Sequence, residues 1–482
     1  MRRLATILML LGIAFMADAK DYSKYYQNLP TEVKPVVEVV IPDNAVRITD
    51  FGGVGDGQTL NTEAFRKAIS ALVKKGGGRV VVPQGVWLTG PIVFKDNIEL
   101  HIEKNAIVMF SPDKSLYIDK DGNSSRVEPC IKASKRKNIA ITGEGIIDGN
   151  GAQWRPVKRS KVSDVEWKRF KAMGGVERDN GQLWYPWDMK DGLPNIGDTP
   201  EAQEKRRNDI VRFTDCENIL FEGVTFQNSP RFHVHPLNSR NIIIDGITVR
   251  CPWNAQNGDA IDISDCHQVL IVNSTVDAGD DGICMKSGKY KENSLVNGCE
   301  DILIQDNTVY HAHGGFVIGS ENICGTRRLV VRQCRFSGTD TGLRFKSGIG
   351  RGGETEKVYI SDVVMTDIND QAIVFQCDYV NKPAGAAPLQ LPRGGESQSA
   401  NTAQPKASPR GGLEGASGAS GAYIPRFHDI HINNVVCRGA GTGIYAHGIE
   451  GYDCIDVTIK NTKIVNATKE TDIDDKTAKV RR

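Results

Sequence analysis

The chain carries almost no net charge. Its 60 lysines and arginines balance 59 aspartates and glutamates, leaving +1 at pH 7. No overall field exists to draw in a nucleic acid or a membrane surface, so neither partner is expected and any electrostatic selectivity has to be local. Metal-binding spacings are missing as well. The eleven cysteines include no CxxC pair and no His/Cys cluster, so neither a metal nor another cofactor is expected. The glycine-rich FGGVGDG starting at Phe51 lacks phosphate-cradling spacing and reads as a structural turn. The apolar run over residues 4–16 is too short to cross a bilayer as a helix. It follows Arg2 and Arg3 and precedes Ala17-Asp18-Ala19, the pattern of a signal peptide cut after Ala19. No cysteine near the cut offers a lipid anchor. Residues 20–482 are therefore expected to be exported, periplasmic or secreted, as one monomeric domain.

What the chain does have is a repeat. A polar residue opens an alternating apolar run, as in NILFEGVTFQNSP from Asn218, NIIIDGITVRCP from Asn241 and QVLIVNSTVDAGD from Gln268. DILIQDNTVYHAHGG from Asp301 and RLVVRQCRFSGTD from Arg328 continue it, and further copies start at Asn138, Lys357, Asp429 and Asp456. Each unit reads as a short strand, an Asn/Asp/Gly corner and a second short strand. The period is roughly 23–33 residues, which belongs to a solenoid. The strands are β-branched with period 2, and no helical pattern separates them. Such units stack as an all-β, right-handed parallel β-helix, with like positions about 4.8 Å apart. A β-sandwich of hairpins fits less well, because the same corner chemistry recurs at the same place in each unit.

The open end of a solenoid needs a cover. In NTEAFRKAISALVKKGGG, Phe65, Ala68, Ile69, Leu72 and Val73 follow helical spacing, Asn61 or Thr62 can cap the start, and Gly76 to Gly78 stop it. An N-terminal capping helix within about 45–80 is expected. Two insertions break the repeat. One, about 151–207, carries Trp154, Trp167, Trp184, Tyr185 and Trp187. The other, about 381–421, is rich in Gly, Ser, Ala and Pro, cannot bury a core and reads as a mobile loop inside one coil. Eleven cysteines in an exported chain invite disulfides, but their odd number and scatter favour a buried ladder, with Cys266 and Cys299 stacked on consecutive coils.

Stacking also gathers chemistry. Asp259 in NGDAID and the pair Asp280 and Asp281 in AGDDGICMKSG each follow a corner, one coil apart. Cleaving a glycosidic bond needs a carboxylic acid to protonate the leaving oxygen and a carboxylate to activate water or attack. Crowding carboxyls raises one pKa and keeps a proton available. A lone aspartate at such a corner more often bonds the backbone. Here His313 in AHGG stands one coil on, and Arg344 and Lys346 in GLRFKSG stand on the next. Alternation puts both cations on one side of their strand and Phe345 on the other. Alone, each would be an ordinary polar or solvated residue. In register, they suit an acidic sugar polymer as substrate.

The order NGD, GDD, AHG, RFK resembles the signature of glycoside hydrolase family 28, the polygalacturonases and their relatives, which usually shows NTD, GDD, GHG and RIK. The likeness covers about residues 50–465, apart from the insertions, and as a set the motifs are highly specific. It implies a right-handed parallel β-helix, pectin-derived substrates, inversion at the anomeric carbon and no metal. By that resemblance, Asp280 is the general acid, Asp259 and Asp281 activate water, and His313 is the motif histidine. Arg344 and Lys346 hold a galacturonate carboxylate, and Asn257 of NGD falls among the substrate-binding residues. Gly258, Ala312 and Phe345 depart from the usual Thr, Gly and Ile without removing a reacting group. NSPRFHVHP resembles a segment that exo-acting relatives place beside the sugar, which puts His235 near substrate; IGSE with Glu321 belongs to the same style. The long aromatic insertion could wall off one end of the cleft, with Trp184, Tyr185 and Trp187 lining it or packing it. The reading leans towards exo-action. A rhamnogalacturonan hydrolase stays open, since that backbone also presents a carboxylate. So do a Ca²⁺-dependent lyase, which ultraviolet absorbance of its product would reveal, and a non-catalytic sugar-binding β-helix, which would release no reducing sugar.

Overall fold

A computed structural model describes residues 20–118, 127–186, 207–379 and 424–482. The expected signal peptide, Trp187 and the Gly/Ser/Pro-rich insertion lie outside the described residues.

The body is a right-handed parallel β-helix. Strands Val211–Thr214, Glu217–Glu222 and Thr225–Gln227 pair in parallel with Val234–Leu237, Arg240–Asp245 and Thr248–Arg250 of the next coil. Each coil thus has three strands, where the sequence suggested two. The additional sheet stacks Val234–Leu237, Ile261–Ser264, Asp281–Ser287, Gly314–Asn322 and Thr341–Lys346. These strands follow turns of varying length, which hid their period.

The polar residue opening each unit has a backbone role. Asn138, Asn218, Asn241, Gln268, Asp301, Arg328, Lys357 and Asp429 all have φ between 50° and 60°. That left-handed corner suits Asn and Asp, whose short side chains tolerate it. The asparagines also bond one another from coil to coil: Asn138 Nδ2 donates to Asn97 at 2.8 Å, Asn218 to Asn138 at 2.7 Å and Asn241 to Asn218 at 2.8 Å. Inside, like side chains stack: Ile141, Phe221, Ile244, Ile271, Ile304, Val331, Ile360 and Ile432 are in register and buried. The cysteines join this packing. All eleven are buried free thiols.

Helix Thr62–Val73 buries Phe65, Ala68, Ile69 and Leu72 against the N-terminal coils, while Val73 is exposed. Asn61 sits at its N-cap but bonds elsewhere. Its side chain takes the Val54 N–H and donates to Val54, Thr59 and Leu88 carbonyls, pinning the FGGVGDG turn. A second cover was not read from the sequence. Residues 20–44 run as a strap across the outer face of the middle sheet, where Tyr22, Tyr25, Val33 and Val39 pack on Ile243, Leu270, Leu303 and Val330. The strap bonds the corner ladder: Val37 N–H to Asn241 at 2.7 Å, Gln268 Nε2 to the Pro35 carbonyl at 2.6 Å. Unbroken apolar runs such as NIII carry this signal, since a strand apolar on both faces is covered on both.

Candidate active site

The additional sheet and the turns entering it hold the motif residues. Asp259 precedes strand Ile261–Ser264, Asp281 opens Asp281–Ser287, and His313 precedes Gly314–Asn322. Backbone bonds lock these turns together coil by coil. His233 N donates to Asp259 O at 3.0 Å, Ala260 N to Asp281 O at 3.0 Å, His313 N to Asp280 O at 2.8 Å, and Thr341 N to His313 O at 3.2 Å. The turns pack too closely for side chains everywhere. A Cβ on Gly279 would lie 2.5 Å from the Ala255 carbonyl oxygen, so the GDD turn needs its glycine.

Asp280 receives three donors. His313 Nδ1 is 2.9 Å from its Oδ1, the Asp281 N–H reaches the same oxygen at 3.1 Å, and the Asn257 N–H reaches Oδ2 at 3.2 Å. Asp281 is buried, with Lys346 Nζ at 2.9 Å from one oxygen and Arg344 at 3.8 Å from the other. Phe345 faces inward and stacks on Phe375 at 4.5 Å, so the two cations share the cleft side. Asp259 is buried with Lys286 Nζ at 2.7 Å. The six motif residues therefore stand on one face, where Asp259 is paired with Lys286, Asp280 with His313, and Asp281 with Lys346 and Arg344.

The sequence model described as glycosyl hydrolases family 28 matches residues 159–391, the stretch that contains all of them. Over that stretch the chain resembles glycosyl hydrolase family 28. A probable polygalacturonase of Vitis vinifera is 29% identical over 339 residues, 67% of this chain and 61% of that protein. The exo-poly-alpha-D-galacturonosidase of Dickeya chrysanthemi is 28% identical over 359 residues, 70% of this chain and 57% of that protein. The chain thus spans about three fifths of the length of these curated relatives. The structure of a hyperthermoactive exopolygalacturonase from Thermotoga maritima aligns with a TM-score of 0.65 at 27% identity, covering 93% of this chain and 94% of that one.

The site contains groups that the motif reading passed over. Lys286 bridges Asp259 and a fourth carboxylate, Asp262, at 2.7 and 2.9 Å. Both were legible by alternation: Ile283 and Met285 face the core, so Lys286 faces the cleft, and Asp262 alternates with Ile261 and Ile263 in the same way. Arg207 donates to the Asn257 side chain at 2.9 Å. Lys161, from the first insertion, reaches His313 Nε2 at 2.9 Å. His235, expected beside the sugar, is buried with Nδ1 on Asp209 at 2.9 Å and Nε2 on Ser264 at 3.0 Å. Both ring nitrogens are engaged, so it shapes the cleft floor. Trp184 and Tyr185 are buried as well, Trp184 in a small core with Val157, Val162 and Trp167, and they pack the insertion rather than line a pocket. Beyond Asp209 the cleft continues as a cavity of about 520 Å³ whose cations Lys132, Arg136, Arg207, Arg212 and Arg231 outnumber its carboxylates Glu128 and Asp209.

Burial pushes each carboxyl upward, and its partners decide the outcome. At Asp280 burial is overcome by the His313 hydrogen bond, with Lys346 and Lys161 adding, so the carboxyl is held well below its usual range. At Asp281 burial is outweighed by Lys346, and the carboxyl is lowered. Asp259 goes the other way, because burial and Asp262 exceed the pull of Lys286. Asp262 is raised by burial against Lys286. One ammonium between two buried carboxyls neutralises one charge, and the other is best met by a proton that the pair shares. Asp280, Asp281 and His313 lie close enough to offer ligands to a metal, as do Glu354, Glu356 and His428. In the first group the ammonium groups of Lys346 and Lys161, each 2.9 Å from a member, oppose a cation.

Proposed function

We propose that the protein hydrolyses α-linked galacturonic acid in pectin-derived chains, with inversion and from a chain end. The observation that carries this is the arrangement of Asp259, Asp280 and Asp281 on one face, partnered by Lys286, His313 and Lys346 respectively. Asp280 faces the leaving oxygen as general acid. Asp259 and Asp281 each keep one buried oxygen without a protein hydrogen bond, Oδ1 in both cases, and these hold and deprotonate the attacking water. Arg344, less buried than Lys346 and farther from Asp281, takes the sugar carboxylate. The basic cavity beyond Asp209 receives further carboxylates of the chain. Likeness to the Thermotoga exopolygalacturonase and the Dickeya exo-galacturonosidase supports end-wise action. No helix among the described residues is long and apolar enough to cross a membrane, and we place the protein outside the cytoplasm on the strength of its leader sequence.

The test is product analysis on defined galacturonan and rhamnogalacturonan oligomers. Saturated galacturonate released from one end, with inverted configuration in early-time NMR, is expected. An ultraviolet-absorbing unsaturated product, retained configuration or no release of reducing sugar would overturn the reading.

A further inference from the structure

The first insertion delivers a charged group, Lys161, to His313. Residues Val157–Lys158 and Leu183–Tyr185 pair as antiparallel strands, and Arg159 donates to the Val162 carbonyl at 2.8 Å and lies over the Trp167 ring. This small unit aims Lys161 across the cleft. Its Nζ lies 2.9 Å from His313 Nε2 and 3.2 Å from the Gly279 carbonyl oxygen. An ammonium has three donors and no acceptor. The nitrogen that faces it must therefore offer a lone pair, and the imidazole proton must sit on Nδ1. Nδ1 is the atom 2.9 Å from Asp280 Oδ1.

We infer that Lys161 is a positioning residue that fixes the tautomer of His313 and thereby commits the imidazole proton to Asp280. The other groups facing the ring do not enforce this. Asp340 lies 3.8 Å from Nε2 and, as a carboxylate, favours a proton there. Arg344 touches only the His313 carbonyl, at 3.4 Å, and Asp281 faces Lys346. Without Lys161, the Asp340 side wins. Nε2 then carries the proton, and the bare Nδ1 accepts the Asp280 proton that the leaving oxygen needs. With that proton turned towards the ring, the acid is misdirected and turnover falls. Burial, the largest influence on the Lys161 ammonium, lowers its pKa, and Asp280 and Asp340 oppose that.

The rate measurements rest on the hydrolase reading; the spectroscopic one does not. Full-length protein with ¹⁵N-labelled histidine is compared as wild type, Lys161→Met and Lys161→Arg, with His313 assigned by its loss in His313→Ala. In the wild type, Nδ1 should appear protonated and Nε2 bare. Lys161→Met should protonate Nε2 in place of Nδ1 and lower kcat by about tenfold with KM within about twofold. Lys161→Arg, which still donates, should keep the wild-type ¹⁵N pattern and kcat. Unchanged His313 shifts in Lys161→Met overturn the inference, and so does a rise in KM with an unchanged kcat, which would make Lys161 a substrate contact. If the wild type cleaves no galacturonide, the proposed function fails, and the ¹⁵N pattern alone still decides the role of Lys161.

Discussion

Asp280 and Asp259 hold opposite charge states in the free protein. The assigned acid is held low by His313, while the assigned base shares a proton with Asp262. Catalysis needs the reverse, so the reactive form is a minority between the two titrations, and a broad bell should result. The bell has a low acid limb from Asp280 and a raised alkaline limb from the Asp259/Asp262 pair. Asp262→Asn removes a carboxyl that raises Asp259, and the alkaline limb should move down. Lys286→Met removes the cation that lowers it, and the same limb should move up. Measuring kcat/KM against pH checks both, and a shift in the acid limb would contradict the assignment. Asp280→Asn should cost about 10²–10⁴-fold in kcat, with the thermal midpoint nearly unchanged; more than a tenth of the activity remaining would remove Asp280 from the role of acid. These carboxylates were legible because the repeat puts their turns in register. Lys286 and Asp262 were equally open to reading by alternation, but their single copies lay inside motifs already read for other residues.

Among the elements, the strands that enter from the catalytic turns do two jobs, and Thr341–Lys346 shows how they differ. Lys346 is buried against Asp281, whereas Arg344 is partly exposed and 3.8 Å away. Lys346→Ala leaves a buried carboxylate unpaired, at a cost of about 3–5 kcal/mol, and should impair free-acid and methyl-esterified oligomers alike. Arg344→Ala should instead erase the preference for the free acid, lowering kcat/KM on it about ten- to a hundredfold. Kinetics on the two oligomer sets, beside a thermal melt, separate these outcomes. In the middle sheet, Asn218→Ala breaks two rungs of the corner ladder and puts alanine at φ 60°. A loss of about 1–3 kcal/mol in urea unfolding is expected. The β-branched runs of this sheet announce themselves in the sequence. The catalytic sheet does not, since the turns that lead into it vary in length, and the contact made by Lys161 is set by how an insertion folds over the body, which no periodicity encodes.

At the scale of the whole molecule, eleven buried thiols and no disulfide mean that covalent links contribute nothing to holding the coils together. A reductant should leave the thermal midpoint unchanged, and a fall of several degrees would reveal a cross-link. The clamp is the strap of residues 20–44 instead, and it carries a consequence for the order of assembly. The strap leaves the ribosome before the coils it fastens, yet Val37 waits for Asn241, 204 residues later, and Arg332 must arrive before it can reach the Tyr25 carbonyl at 3.0 Å. Closing loops of that length is slow and adds no contact until both ends are present. In the interval the stripe Ile243, Leu270, Leu303 and Val330 lies open, a row of apolar strand faces offered to any neighbouring chain. The strap is therefore made before the coils it fastens and can be fastened only after them, and until then it is the chain's own protection against sticking to its siblings that is missing.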